Sequence, residues 1–228
     1  MKRRHVAVDI ECLGTPENSG YDIIIPNYAV VMVPSKPTHN ITNFFYVKQP
    51  YQAQVNAGLK SDAAAMSFWM NKCAKEYPGA YEEVSSTMDL ATAEIYTSNG
   101  KAKKIFPNDL IAEFWDELRY HYGEEVPHSV WGNGCHFDCS ILEANHRKLY
   151  GKTGMWSYDA PDNARTIKRL LNDAARQEMD EIVAVQLPKF VQFAESCDVK
   201  GLELHHPLFD AAREAIQISY CLNKLKLD

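Results

Sequence analysis

Four acids and one histidine, spread along the whole chain, are the residues whose types and spacing could do chemistry. Asp9 and Glu11 stand in HVAVDIECLG, an apolar run that otherwise reads as a buried strand. Residues two apart on a strand project from the same face, so these acids point the same way at the strand's end. Like charges that close repel unless a cation lies between them. The pair is therefore either a solvated strand end or half of a metal site. Asp138, in GCHFDCSIL, falls in the first turn of an expected helix, where an acid also complements the helix dipole. Asp210, in HHPLFDAA, sits on the last helix, with Pro207 suited to its first turn and His205 on a flexible lead-in. Oxygen ligands of this kind favour Mg²⁺ or Mn²⁺, whereas zinc favours His and Cys. An imidazole that titrates near neutral pH suits proton transfer beside them.

The surrounding pattern shows which elements must position these groups. After the opening strand, a loop with Gly14, Pro16, Asn18 and Gly20 leads to β-branched segments at Ile23 to Val33 and Ile41 to Val47. Three antiparallel N-terminal strands are predicted. From Ser61 to Lys75, Met66, Trp69, Met70 and Cys73 recur at helical spacing, with Ser61 and Asp62 as candidate caps. Trp69 either packs in the core or, with Phe68, borders a cleft and stacks on a base. Residues 76 to 105 read as an irregular insertion, a solvated loop or hairpin carrying Lys101, Lys103 and Lys104. Leu110, Ile111, Phe114, Trp115 and Leu118 predict a helix over Pro107 to Tyr122. Ser129, Val130 and Trp131 form a short strand, and Gly132-Asn133-Gly134 turns it into a helix from Phe137 to Tyr150. A strand at Met155 to Tyr158 and a helix from Asp162 to Gln177, made basic by Arg165, Lys168 and Arg169, repeat the alternation. A short helix around Lys189 to Cys197 and a last one from Pro207 to Leu225 complete the chain. The expected class is α/β: one domain over 1–228 with a mixed five-stranded central sheet flanked by helices, its three N-terminal strands antiparallel and the later ones parallel.

Composition narrows the function. The chain has 228 residues, 46% hydrophobic and 24% charged, which suits one elaborated soluble domain. No apolar run approaches the roughly 18 residues of a membrane span. The start, MKRRHVAVDIE, meets acids too soon for a signal peptide, so a cytoplasmic protein is expected. A formal charge of -6 argues against holding nucleic acid by bulk positive charge, but not against gripping a few nucleotides through bound cations. The six cysteines include no C-x-x-C pair, and Cys135 and Cys139 have no second ligand pair at zinc-site spacing. Neither a zinc site nor a disulfide framework is predicted.

In this order, VAVDIECLG, the Phe-Asp of GCHFDCSIL and the His-x4-Asp of HHPLFDAA resemble the DEDDh family of 3′–5′ exonucleases within the RNase H-like superfamily. Length, Ser67-Phe68-Trp69 and the helix-opening Arg165-Thr166 make the chain similar to the phage exonuclease A group and its stand-alone exoribonuclease relatives. Two positions depart from the pattern: Gly134 stands where many members carry an asparagine, with Asn133 displaced by one, and Asn163 stands where close relatives have an acid. The resemblance implies an RNase H-like fold. It implies that Asp9, Glu11, Asp138 and Asp210 hold two divalent cations, Mg²⁺ or Mn²⁺, with Asp9 bridging them. It also implies His205 as the general base for the attacking water, the five-residue step to Asp210 favouring it over His206. Two ions about 4 Å apart can activate water and stabilise the leaving oxygen, releasing nucleoside 5′-monophosphates. The terminal nucleotide is expected against Leu13 and Gly14, with Trp69 and Arg165 as further substrate contacts.

The implied partner is the 3′ end of single-stranded DNA or RNA, with no membrane and with a homodimer as the assembly considered. DNA is favoured from the phage-type resemblance, and an exoribonuclease is the alternative, since no residue is identified that reads the 2′-hydroxyl. A non-catalytic RNase H-like module that binds nucleic acid or protein is the rival from another class; all four acids and the histidine speak against it. An aspartyl-nucleophile phosphohydrolase is a second rival, and Glu11 in place of a second aspartate counts against it.

Overall fold

A computed structural model describes residues 5–99, 103–105, 129–151 and 156–227. Its first strand is β1 (His5–Glu11), an interior strand of the sheet in which Val6, Ala7, Val8 and Ile10 are all buried. A strand that is apolar on both faces needs neighbours in the sheet and cover above and below. β1 pairs antiparallel with β2 (Asn27–Met32), and β2 with β3 (Phe44–Lys48), the three-stranded N-terminal arrangement expected. β4 (Ala93–Thr97) and β5 (Lys103–Ile105) extend that side as an antiparallel hairpin. On the other side β6 (Ser129–Gly132) runs parallel to β1, and β7 (Pro161–Asn163) parallel to β6.

The sheet order is β5-β4-β3-β2-β1-β6-β7, a mixed sheet of seven strands rather than the five expected. The two extra strands come from 76–105, which also holds the helix over Pro78–Ser85 and a 3₁₀ turn over Ser86–Asp89. The strand expected at Met155 to Tyr158 is corrected to β7: residue 155 lies outside the described residues and 156–158 are not in a strand. Proline lacks the N–H of a ladder donor, so Pro161 suits an edge strand. The helix expected over Pro107 to Tyr122 lies outside the described residues, as does Lys101.

The helices in chain order are α1 (Pro16–Ser19), α2 (Tyr51–Asn56), α3 (Ala63–Ser67), α4 (Ala74–Glu76), α5 (Pro78–Ser85), α6 (Asp138–Tyr150), α7 (Ala164–Arg169), α8 (Asp173–Ser196) and α9 (Pro207–Leu225). A six-residue π-helix, Phe68–Cys73, joins α3 to α4. Asp62 caps α3 by accepting from the Ala65 N–H at 2.8 Å. The single helix expected over Asp162 to Gln177 is two, because Asn163 caps α7 through the Thr166 N–H and Asn172 caps α8 through the Ala175 N–H. α8 then runs unbroken through Pro188, absorbing the short helix expected at Lys189 to Cys197. No helix among the described residues is long and apolar enough to cross a membrane.

Period two along β1 divides the core. Ala7 joins Ala29, Val31, Tyr46 and Trp131 on the face covered by α8 and α9. Val6, Val8 and Ile10 face the opposite way, against Cys139, Ile141 and Leu142 of α6. A smaller core under α3 to α5 gathers Leu13, Ile24, Leu59, Trp69, Cys73, Ala80 and Val84. On α9, buried Ala211, Ala212 and Ala215 are small enough to let the helix lie close to the sheet. Asp9 and Glu11 continue the Ala7 face by alternation, toward α9.

Candidate active site

The acids meet where β1 and β6 end and α9 begins. β1 carries Asp9 opposite Ala29 and Glu11 opposite Asn27 at its C-terminal end. β6 stops at Gly132, paired with Val8, and the next turn delivers Asp138 to α6 across the end of the sheet. That turn requires glycine. A Cβ on Gly132 would lie 2.8 Å from Asp138 Oδ2 and 3.2 Å from the Cys135 Cα. The Gly134 N–H donates to Asp138 Oδ2 at 3.1 Å and orients the carboxylate. Asp210 comes from the first turn of α9, and one turn later the same helix presents Glu214.

These carboxylates act on one another. Burial, followed by the charges of Asp138, Asp210, Glu11 and Glu214, holds Asp9 well above the usual carboxylate range. Burial and then Asp210 and Asp138 do the same to Glu11. Burial chiefly pushes Asp138 up to about 6, against the lowering effect of the Gly134 N–H. Burial also raises Asp210, although Arg213 and the His205 N–H pull the other way. Among the described residues, Asp9 and Glu11 have neither a hydrogen-bond donor nor an ion-pair partner for their carboxylates. Two partly buried acids without a cation, beside two more acids, form a site short of positive charge.

His205 is pinned rather than flexible. Its backbone adopts φ 68°, a left-handed conformation that is unusual for a residue with a Cβ. Its N–H donates to Asp210 Oδ2 at 2.9 Å, which ties that conformation to the site. The lead-in is anchored upstream by Glu203, whose Oε1 accepts from the Gly79 N–H at 2.6 Å and the Ala80 N–H at 3.1 Å at the start of α5. Gly201, at φ 65°, packs so closely on Gly79 that a Cβ there would lie 2.6 Å from the Gly79 carbonyl oxygen. The His205 imidazole sits among the rings of Tyr77, Phe68 and Trp69, with centroids 4.9, 5.2 and 6.5 Å away. The π-helix brings the consecutive residues Phe68 and Trp69 both to this ring. Burial lowers the His205 pKa, against the raising influence of Asp210, so the ring is neutral near pH 7.

His206 has a different job. It is fully buried, its Nδ1 accepts from the Leu208 N–H as the N-cap of α9, and its ring lies 4.7 Å from that of Tyr46. Burial pushes its pKa down to about 3. His206 is thus a buried cap of α9.

Leu13 and Gly14 lie just past the end of β1. The Leu13 side chain is 1% exposed and belongs to the small core, with its N–H on the Ile24 carbonyl and its carbonyl accepting from Asp62. Trp69 is 3% exposed and donates Nε1–H to the Cys12 carbonyl at 3.2 Å, so it packs inside and meets the His205 ring at a steep angle, 76°. Arg165 is exposed, its Nε donating to Asn133 Oδ1 at 3.4 Å, and its charge lowers the Asp138 pKa.

Sequence reasoning missed Glu214, Lys168 as its partner, and Glu203. Glu214 is 2% exposed, and Lys168 Nζ reaches its two oxygens at 2.7 and 3.0 Å, Gln217 Oε1 at 3.1 Å and Asn133 Oδ1 at 3.3 Å. One ammonium thus ties α9 to the turn before Asp138. An acid one helical turn after Asp210, in an alanine-rich apolar stripe, was the signal available in the sequence. Arg213 similarly pairs with Asp210, Nη2 to Oδ1 at 2.8 Å.

The donor set fits hard divalent cations. One ligand atom each from Glu11, His205 and Asp210 lies within 4.8 Å of the others. Asp9 and Asp138 add carboxylates that interact with the same charges. A family profile described as the 3'-5' exoribonuclease Rv2179c-like domain matches residues 4–222. No curated protein and no solved structure gives a significant match.

Proposed function

The chain belongs to the 3'-5' exoribonuclease Rv2179c-like domain family, and on that premise we propose that it is a cation-dependent 3′–5′ exoribonuclease of DEDDh type with an RNase H-like fold. Family membership makes it a nuclease; the metal requirement, the polarity of its grip and the histidine's role are this proposal's own. The observation that carries the reading is the convergence of four carboxylates and a neutral imidazole at one end of the sheet, with Asp9 and Glu11 lacking any described cation. RNA takes the place of the DNA favoured by the phage-type resemblance, on the family's description.

Asp9, Glu11, Asp138 and Asp210 would hold two Mg²⁺ or Mn²⁺ ions. Bound divalent cations supply charge neutralisation, polarisation of water and stabilisation of a leaving oxygen. The chain's own residues supply the rest. His205, unprotonated near pH 7, takes a proton from the water that attacks the terminal phosphodiester. Asp210 orients it by accepting its backbone N–H, and Glu203 holds its lead-in against α5. Tyr77, Phe68 and Trp69 wall the ring, limiting its rotamers and excluding bulk water from one side. Arg213 and Lys168 offset Asp210 and Glu214, which limits the repulsion that an incoming phosphate meets.

The test uses single-stranded RNA and DNA labelled at either end, incubated with Mg²⁺, with Mn²⁺ or with EDTA. A metal-dependent ladder from the 3′ end, faster on RNA and releasing 5′-monophosphates, is expected. His205→Ala should keep its fold and lose turnover. Intact RNA under every condition, or full activity in Asp210→Asn, would sink the proposal.

A further inference from the structure

The described surface carries a second concentration of charge, opposite in sign to the acid cluster and beginning beside it. A cavity of about 330 Å³ between α7 and α8 is lined by Arg165, Lys168, Arg169, Arg176, Met179 and Asp180. Arg165, Arg169 and Arg176 face one carboxylate there, Lys168 being paired with Glu214, in a chain whose formal charge is -6. Such a concentration of like charge is costly to assemble and works as a local anion trap.

The helix α7 leads from the cavity toward the site. At the near end, Arg165 bonds Asn133 in the turn before Asp138, and its charge acts on the Asp138 carboxylate. Lys168 follows, already committed to Glu214. Farther out, Arg169 stands exposed and Arg176 reaches across from α8, its Nη2 donating to the Arg169 carbonyl at 3.4 Å. Among the described residues, Arg176 pairs with exposed Asp173 at 3.7 Å, and Asp180 is the acid in the cavity lining. Buried Met179 supplies an apolar wall. The volume lies at the small end of the roughly 300–1,000 Å³ of ligand sites. That is room for a segment of chain, and the exposed guanidinium groups, planar bidentate donors, suit phosphate oxygens.

We infer that this cleft is a backbone subsite: Arg169 and Arg176, with Arg165 leading to them, grip phosphodiesters of single-stranded RNA on the 5′ side of the nucleotide being removed. The inference rests on the proposed exoribonuclease reading for its orientation. A net-acidic enzyme then holds its polyanion at two places, by cations at the acids and by these side chains along α7 and α8. The strand is retained between successive removals by the second grip.

The experiment is fluorescence anisotropy of a labelled ten-nucleotide RNA as a function of salt, in EDTA so that cation-dependent hydrolysis stops and the acid cluster only repels. Neutralising one phosphate fewer lowers the log–log salt slope by roughly 0.7 for a single strand, so Arg169→Gln with Arg176→Gln should lower it by about 1.4. Arg169→Lys with Arg176→Lys keeps both charges and should retain the slope. Both residues lie at the surface, and thermal unfolding confirms that each double variant is folded. An unchanged slope in the Gln pair, or an equal drop in the Lys pair, overturns the inference. An unchanged slope together with AMP binding that the Gln pair abolishes would show a free-nucleotide site instead and overturns it as well. Wild-type turnover of the same RNA in Mg²⁺ is scored separately: a lowered slope without turnover would refute the exoribonuclease reading and leave the backbone subsite standing.

Discussion

Replacing Asp138 by asparagine should stabilise the ion-free protein while it destroys activity. Asp138 is buried, and its pKa is pushed from the ordinary 3.8 up to about 6. At pH 7 the folded state therefore holds a charge that it resists and the unfolded chain does not. Two pKa units at 1.36 kcal/mol each put the penalty at about 3 kcal/mol. Asparagine is nearly isosteric, keeps an oxygen for the Gly134 N–H, and removes the charge. For a chain of this size about 3 kcal/mol corresponds to a rise of roughly 6–12 °C in Tm. The pH dependence has a definite sign. Between about pH 4 and pH 6 the folded wild type binds a proton that the unfolded chain has released, so wild-type stability rises as pH falls through that window. The advantage of Asp138→Asn should shrink to about half at pH 5 and vanish below pH 4. The assay is thermal unfolding of both proteins in EDTA at pH 7, 5 and 4, repeated with Mn²⁺. Added cation should raise the wild-type Tm and do less for the variant. Equal stability in EDTA at pH 7 would refute the premise that the ion-free site, chiefly by burial, resists the charge on Asp138.

Three further outcomes follow from the lead-in and the caps. Glu203→Ala should leave the protein folded but lower kcat by roughly ten- to a hundredfold, the equivalent of the 1.5–3 kcal/mol of a charge-assisted hydrogen bond. Glu203→Gln should recover part of that activity. In both variants the acid limb of the pH–rate profile should shift from its wild-type position, below the ordinary 6.5 of histidine, as His205 loses its buried setting. Gly201→Ala forces a Cβ against the Gly79 carbonyl oxygen at positive φ and should cost about 2 kcal/mol or more in urea unfolding. Asp62→Ala removes the acceptor for the Ala65 and Thr15 N–H groups and should cost about 1 kcal/mol at pH 7. Because those bonds lower the Asp62 pKa from 3.8, its contribution is present above that value and is lost as pH falls through the lowered folded-state pKa, so the two proteins should converge toward acid pH.

The residues that were legible are those whose role is set by local pattern. Alternation in β1 placed Asp9 and Glu11 on one face, and the glycines before Asp138 announced a turn tight enough to bring a carboxylate over the end of the sheet. Pro207 marked the start of α9 to the residue. What stayed hidden depends on contacts between distant segments. Nothing local in Glu203 says that it caps α5, since its partners Gly79 and Ala80 lie more than a hundred residues earlier. The expected freedom of His205 failed for the same reason: a lead-in read as loose is held by an N-cap, a glycine contact and three rings from other elements. The long helix α8 was obscured by Pro188, which removes a single hydrogen-bond donor that the packing of α8 on α9 outweighs. Lys168 is the most instructive case. On the sequence it was one of three cations on a helix, and in the fold it divides them. Its ammonium goes inward to Glu214 and to the turn that carries Asp138, while Arg165 and Arg169 are left for the surface. That division sets the inner acids a fixed distance from an outer basic cleft, so positioning of the acids and attraction of a phosphate chain are separable by mutation even though both rest on one short helix.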